Sequence, residues 1–239
     1  MKCAVVTPVG PGHEYLALDA EESVELACAT SHGAFAEILF IKVDDTRGET
    51  GRSAARNQGV ALAHQAGAEW VFFLDADDVM CPAAFANVAP HLAGYDAVWG
   101  AIYELADDEE TGVIRSGQAM PITRIDELLG NDPFITLQMG HFVKTAAALA
   151  TPFDPALDAG EDFDYYLRMW LRFSCVKIDL PFFFNRRHTY AGGPRAATDG
   201  DWRVAVERII CAKCVALDFH ADFAWRGENF RFYVGDPFD

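Results

Sequence analysis

An α/β fold built on a mixed, mainly parallel sheet flanked by helices is predicted by three observations. Strand and helix signals alternate through the first half of the chain, the run Trp70–Leu74 is wholly apolar, and polar residues close each of the three early strands. Strand, helix, strand, helix, strand makes two βαβ units with right-handed crossovers. A short apolar run without polar interruption suits a strand buried on both faces of a parallel sheet.

The first strand is read over Lys2–Val6, followed by a loop rich in Pro and Gly over Pro8–Gly12. Residues His13–His32 carry Leu16, Ala20, Val24 and Ala27 at helical spacing, and Ile38–Val43 reads as a second strand ending in Asp44 and Asp45. Ser53–Gln65 is a second helix, with Ser53 as the expected N-cap and Gly67 as the stop. The third strand runs into Asp75, Asp77 and Asp78. Asp78 is read as a helix N-cap, because Pro82 suits a helix start.

The second half is less regular. A strand is expected over Ala97–Leu105 and an acidic turn over Ala106–Glu110, while residues 121–151 mix short helix and strand signals. Glu161–Phe173 is strongly amphipathic, with Phe163, Tyr166, Leu167, Trp170 and Leu171 on one side. Val176–Leu180 reads as a strand, Phe182–His188 as an extended segment and Val204–Phe219 as a helix before an aromatic tail. With no repeat or linker, residues 1–202 form one domain, and residues 203–239 add a helix and tail packed on it.

The balance of 19 basic against 36 acidic residues gives a formal charge of −17, a field that repels nucleic acid and anionic membrane. A signal peptide is not expected, because the N-terminus lacks a basic region followed by a long apolar one, nor is a membrane span, because no run approaches about 18 apolar residues. Cysteines at 3, 28, 81, 175, 211 and 214 are scattered. They read as reduced core thiols in a cytoplasmic protein.

The chemistry concentrates where the third strand ends. Unpaired carboxylates cannot sit in a core without a cost of several kcal/mol or protonation. Acids at i and i+2 on extended backbone point the same way, so Asp75 and Asp77 can share one cation at the sheet edge where open α/β folds hold ligands. Asp44 and Asp45 end a neighbouring strand, where one could accept an N–H from a base or shape an Asx turn. Arg56 and Asn57 lie on the helix before that strand, and a guanidinium there can pair with phosphate or nucleotide oxygens, or with an acid.

Taken in order, Val5–Val9, Val43–Asp45, Gly51–Gly59, Phe73–Asp78 and Gly160–Arg168, the last preceded by Phe153–Asp154, resemble the motifs of the family 2 glycosyltransferases. These are nucleotide-sugar-dependent enzymes of the GT-A, Rossmann-like type, and the resemblance covers roughly residues 2–190. It implies that Asp77 of the DxD motif contacts Mn²⁺ or Mg²⁺, with Asp75 reaching the ribose or the metal. It implies that Pro8, Asp44, Asp45, Arg56, Asn57 and Asp75 surround the nucleotide. It makes Asp162 of the ED motif the base of an inverting transfer, with Glu161 orienting the acceptor or the loop. His188 would approach the diphosphate or metal, and Arg186 or Arg187 the diphosphate.

Trp99, Phe134 and His141 are read as acceptor-pocket lining and Trp170 as core; Asp164 and Arg168 are read as an i, i+4 helix pair. Thr46–Glu49 stands where the family commonly has Gly-Ser after its paired acids, and the QxxRW motif of processive synthases is absent. The expected activity is therefore addition of one sugar, from a UDP-sugar by preference, to an acceptor hydroxyl. Rival readings are a sugar nucleotidyltransferase, whose Gly-rich loop would carry an Arg that Val9–His13 lacks, and a binding module without turnover. Homo-oligomerisation is left open.

Overall fold

The computed structural model describes residues 1–106, 111–129, 131, 133–157, 159–187, 204–205, 208–209, 221–226 and 229–234. Its first half is β1 (Lys2–Val9), α1 (Leu16–Thr30), β2 (Glu37–Asp44), α2 (Arg52–Gln65), β3 (Trp70–Phe73), β4 (Val79–Met80) and α3 (Ala84–Val88). Then follow β5 (Ala97–Ala106), β6 (Val113–Ile114), α4 (Ile125–Leu129), α5 (Pro133–Thr136), β7 (His141–Lys144), α6 (Thr145–Ala150), α7 (Glu161–Arg172) and β8 (Cys175–Arg187). A separate hairpin comprises β9 (Ala221–Arg226) and β10 (Asn229–Val234).

The main sheet has the order β2-β1-β3-β7-β5-β8-β4, with β6 added to β5. β1 pairs in parallel with both β2 and β3, so Val9 lies opposite Asp44 and Val6 opposite Phe73. The carboxyl ends of these three strands consequently share one edge, where the acids lie. β7 runs antiparallel to both neighbours, and its insertion makes the sheet mixed.

Side-chain alternation explains why β3 carries no polar residue. Val71 and Phe73 pack into one core with α2, α6 and α7, whereas Trp70 and Phe72 pack into the other with α1 and α3. Both faces are covered, so every position must be apolar. α2 approaches β1 very closely: a Cβ at Gly59 would stand 2.2 Å from Val6 Cγ1, which only glycine avoids.

Several boundaries differ from the sequence reading. α2 starts at Arg52 with Gly51 (φ 84°) as its flanking residue, and Ser53 lies inside the helix rather than capping it. At the other end Gly67 (φ 75°) donates to His64 O, ending the helix as expected. β8 is one continuous strand through Pro181, where the sequence suggested two segments; the register with β5 shifts there. Proline is tolerated at such irregularities because the ladder has no bond to lose there.

The tail expected after residue 219 contains the β9–β10 hairpin, with Phe223 opposite Phe232 and Trp225 opposite Phe230. Of the helix expected over residues 204–219, only 204–205 and 208–209 are described, and they are helical. Cys3, Cys81 and Cys175 are buried and free, Cys28 is half-buried and free, and Cys211 and Cys214 lie outside the described residues. Among the described residues no helix is long and apolar enough to cross a membrane.

Candidate active site

Asp75, Asp77 and Asp78 follow β3 directly and bring one carboxylate oxygen each to within 4.8 Å of the others. Asp78 is 2% exposed and is not a helix cap, because α3 begins only at Ala84. Its Oδ1 accepts from Asn185 Nδ2 and from the Arg186 backbone N–H, each at 3.0 Å. Burial first, then the charges of Asp77 and Asp75, push the Asp78 carboxyl well above its ordinary range, against those two bonds. Mutual repulsion of this kind is relieved by a hard divalent cation, whose ligands are carboxylate oxygens. The three acids fit such an ion.

A buried arginine joins this cluster to α7. Arg56 Nη2 lies 2.8 Å from Asp75 Oδ1, and Nη1 lies 3.3 Å from Glu161 Oε1. Arg52 adds a second cation 3.5 Å from Glu161. Burial opposes the Arg56 charge, yet Asp75 and Glu161 outweigh it and raise the guanidinium pKa. The Arg56 guanidinium is buried and paired with these two carboxylates, the acid pairing that its position allows beside a phosphate contact. Its neighbour Asn57 donates to Phe153 O at 2.8 Å and accepts from Phe153 N–H at 2.9 Å. That exchange fixes the segment leading into α7.

At the start of α7, Glu161 is 3% exposed, whereas Asp162 is half-buried and its Oδ1 accepts from Phe163 N–H at 2.7 Å. The two acids thus differ: one is locked between arginines and one stands nearer solvent. Asp164 and Arg168 do form the expected i, i+4 pair, 2.6 Å apart. A cavity of about 260 Å³ opens between Thr50–Ala54 and the pair Pro155 and Leu157, bordered by Arg52 rather than by the acids.

The acids ending β2 also differ. Asp45 accepts from the Thr50 and Gly51 N–H groups at 2.7 and 2.8 Å, one on each oxygen, and so shapes the turn into α2. Asp44 is exposed and accepts from Thr46 N–H at 2.9 Å, an Asx turn whose amide lowers its pKa. Pro8 sits at the same edge, opposite Val43. Arg186 Nη1 lies 2.5 Å from Asp19 Oδ2. The Arg187 side chain and all of His188 lie outside the described residues.

The acceptor-lining role expected of Trp99 and His141 is overturned by burial. His141 is fully buried and stacks on Trp99 with centroids 4.3 Å apart, and its Nε2 lies 3.2 Å from the Tyr165 hydroxyl. Trp99 is 1% exposed, and Trp170 packs in the same core as expected. The Phe134 side chain lies outside the described residues.

Burial, then the Arg56 charge, lowers the His141 pKa from 6.5 to about 3. A folded pKa below the unfolded one gives stability that is present above pH 6.5 and lost as pH falls toward 3. The slope over that window is roughly 1.4 kcal/mol per pH unit from this residue. His141→Phe should therefore flatten the acid side of the stability curve, as read by urea unfolding at pH 7, 5 and 4.

The sequence model of Glycosyl transferase family 2 matches residues 29–144, which include β2, α2, β3 and the acidic cluster. The structure is similar to S. aureus TarS 1–349 in complex with UDP-GlcNAc at a TM-score of 0.63 and 15% identity, covering 90% of this chain and 67% of that one. The UDP complex of the same fragment gives a TM-score of 0.59 at 18% identity, covering 90% and 66%. S. aureus TarS itself gives 0.61 at 14% identity, covering 90% of this chain and 40% of that one. No curated protein matches by sequence. The chain has the GT-A fold, and its residues 29–144 are similar to glycosyl transferase family 2.

Three site-forming residues escaped the sequence reading or were assigned otherwise: Arg52, Asn185 and Asp78. Asp78 alone carried a signal, as the third acid of a run that could not all be capping.

Proposed function

We infer that the protein moves a sugar from a nucleoside diphosphate donor, a UDP-sugar by preference, to an acceptor hydroxyl, with inversion and one sugar at a time. The observation that carries this reading is the Asp75–Arg56–Glu161 bridge, which ties the acidic end of β3 to the start of α7. In this reading the donor-binding end and the proton-accepting end meet through that bridge. The bound UDP-GlcNAc and UDP of the TarS structures support the choice of nucleotide.

Asp77 and Asp75 would hold Mn²⁺ or Mg²⁺, and Asp78 completes the carboxylate set. Such an ion offsets the charge that develops on a departing diphosphate. Exposed Asp44 is the better placed of its pair to meet the base, beside Pro8, because Asp45 is spent on the loop. Arg186, with Arg187 and His188 after it, would stabilise the diphosphate, Arg186 exchanging Asp19 for phosphate oxygens.

Glu161, clamped by Arg52 and Arg56, fixes the first turn of α7. Asp162, next in that turn, takes the acceptor proton as its oxygen attacks the anomeric carbon on the face opposite the leaving group. Residues 203–239, including the hairpin, form an addition to the 1–202 transferase domain.

Incubation with a panel of nucleotide sugars and Mn²⁺ tests this reading through free nucleoside diphosphate. The expected result is acceptor-stimulated UDP release from at least one UDP-sugar. Tight donor binding without release from any donor would instead define a non-catalytic binder.

A further inference from the structure

We propose that Asn185, oriented by Arg115, is a positioning residue that aims Asp78 into the carboxylate cluster and so sets its affinity for a divalent cation. The inference rests on the cation site proposed above and concerns residues outside its motifs.

Asn185 has one donating end and one accepting end. Asp78 Oδ1 takes its donor at 3.0 Å, and Arg115 Nη2 donates to its Oδ1 at 3.1 Å. Asp78 Oδ1 also accepts from the Arg186 N–H, so it is an acceptor, and a guanidinium only donates; one amide orientation therefore satisfies both neighbours. Reversing the amide would set oxygen against the carboxylate and N–H against the guanidinium. Arg115 therefore dictates which end of Asn185 faces the acidic cluster.

Arg115 is itself held firmly. Its Nε donates to Glu104 Oε1 on β5 at 2.8 Å, and Nη2 also donates to Gln138 Oε1 at 2.7 Å. Its backbone N–H donates to Ile102 O at 2.9 Å, and its carbonyl accepts from Gln118 Nε2 at 3.0 Å. Anchors on β5, on the segment after β6 and on the residues before β7 leave the guanidinium little room to turn.

The consequence falls on Asp78. Asn185 Nδ2 and the Arg186 N–H both bond Oδ1, which fixes the rotation of the carboxylate. The same pair ties the end of β8, with the candidate diphosphate arginines, to the acids after β3. Partners that orient metal-binding carboxylates typically govern 10–100-fold of the affinity, by a general order-of-magnitude rule.

The test titrates Mn²⁺ into wild type and variants at saturating UDP, following free Mn²⁺ by electron paramagnetic resonance and folding by thermal melting. Asn185→Ala should weaken Mn²⁺ binding by about 10–100-fold. Arg115→Met should weaken it in the same direction, and Arg115→Lys, which keeps a donor, should restore most of the loss. Because Arg115 acts through Asn185, the double variant should bind no worse than Asn185→Ala alone. Should Asn185→Ala fail to fold, Asn185→Ser and the two Arg115 variants carry the same comparison.

Mn²⁺ affinity within twofold of wild type in folded Asn185 and Arg115 variants would overturn the inference, as would fully additive losses. An Asp77→Ala control separates the two levels. If it loses Mn²⁺ while the Asn185 variant keeps it, only this inference fails. If wild type binds no Mn²⁺, the cation site falls with it.

Discussion

Asp162→Asn should lower kcat by at least about 10²-fold while leaving the binding of UDP with Mn²⁺ unchanged. The asparagine keeps the size of the side chain and its bond from Phe163 N–H, so the first turn of α7 is preserved. What it removes is the carboxylate that accepts the acceptor's proton. A loss in kcat with intact donor binding is the signature of an interaction made in the transition state. The neighbouring acid gives the contrast. Glu161→Gln should act mainly on stability, because Glu161 is 3% exposed and paired with arginines. Turnover by Asp162→Asn equal to wild type would remove Asp162 from the role of base.

The second large effect is on folding. Arg56→Met should destabilise the protein by about 3–5 kcal/mol, because removing one partner of a buried pair leaves uncompensated charge behind. The lower part of that range is expected, since the Asp75 side chain is 27% exposed and Arg52 remains 3.5 Å from Glu161. Urea unfolding measures it, and Glu161→Gln in the Arg56→Met background should recover part of the loss by removing the buried charge. A change below about 1 kcal/mol would mean that the bridge does not hold β3 and α7 together.

How far the sequence reveals this architecture depends on the range of the interactions involved. Alternating apolar runs are local, so β1, α1, β2, α2 and β3 were legible within a few residues of their ends. The four residues of β7 were not, because so short a strand owes its place to Phe72 and Val98 on either side rather than to its own pattern. Pro181 divided β8 on paper, whereas the register shift beside Gly100 lets the strand pass. The tail alternates aromatic residues at 223, 225, 230 and 232 around Gly227, a hairpin signal of period two that aromatic content alone does not reveal.

The site shows the same limit. Three clustered acids are legible as a candidate cation site, since a core does not accommodate unpaired carboxylates. Glu161 lies 105 residues from Arg56 and Phe153 lies 96 from Asn57, and no spacing rule shows that either pair meets. Trp99 and His141 failed for a related reason. An aromatic or a histidine looks alike in a pocket wall and in a core until burial is known.

Calorimetric titration of UDP into wild type and Asp77→Ala, with and without Mn²⁺, tests most directly whether the acids after β3 form the donor site. Binding to wild type should tighten strongly when Mn²⁺ is present, and Asp77→Ala should lose that dependence while keeping its melting temperature. Equal UDP affinity with and without Mn²⁺ in wild type, or the same metal response in Asp77→Ala, would contradict the account.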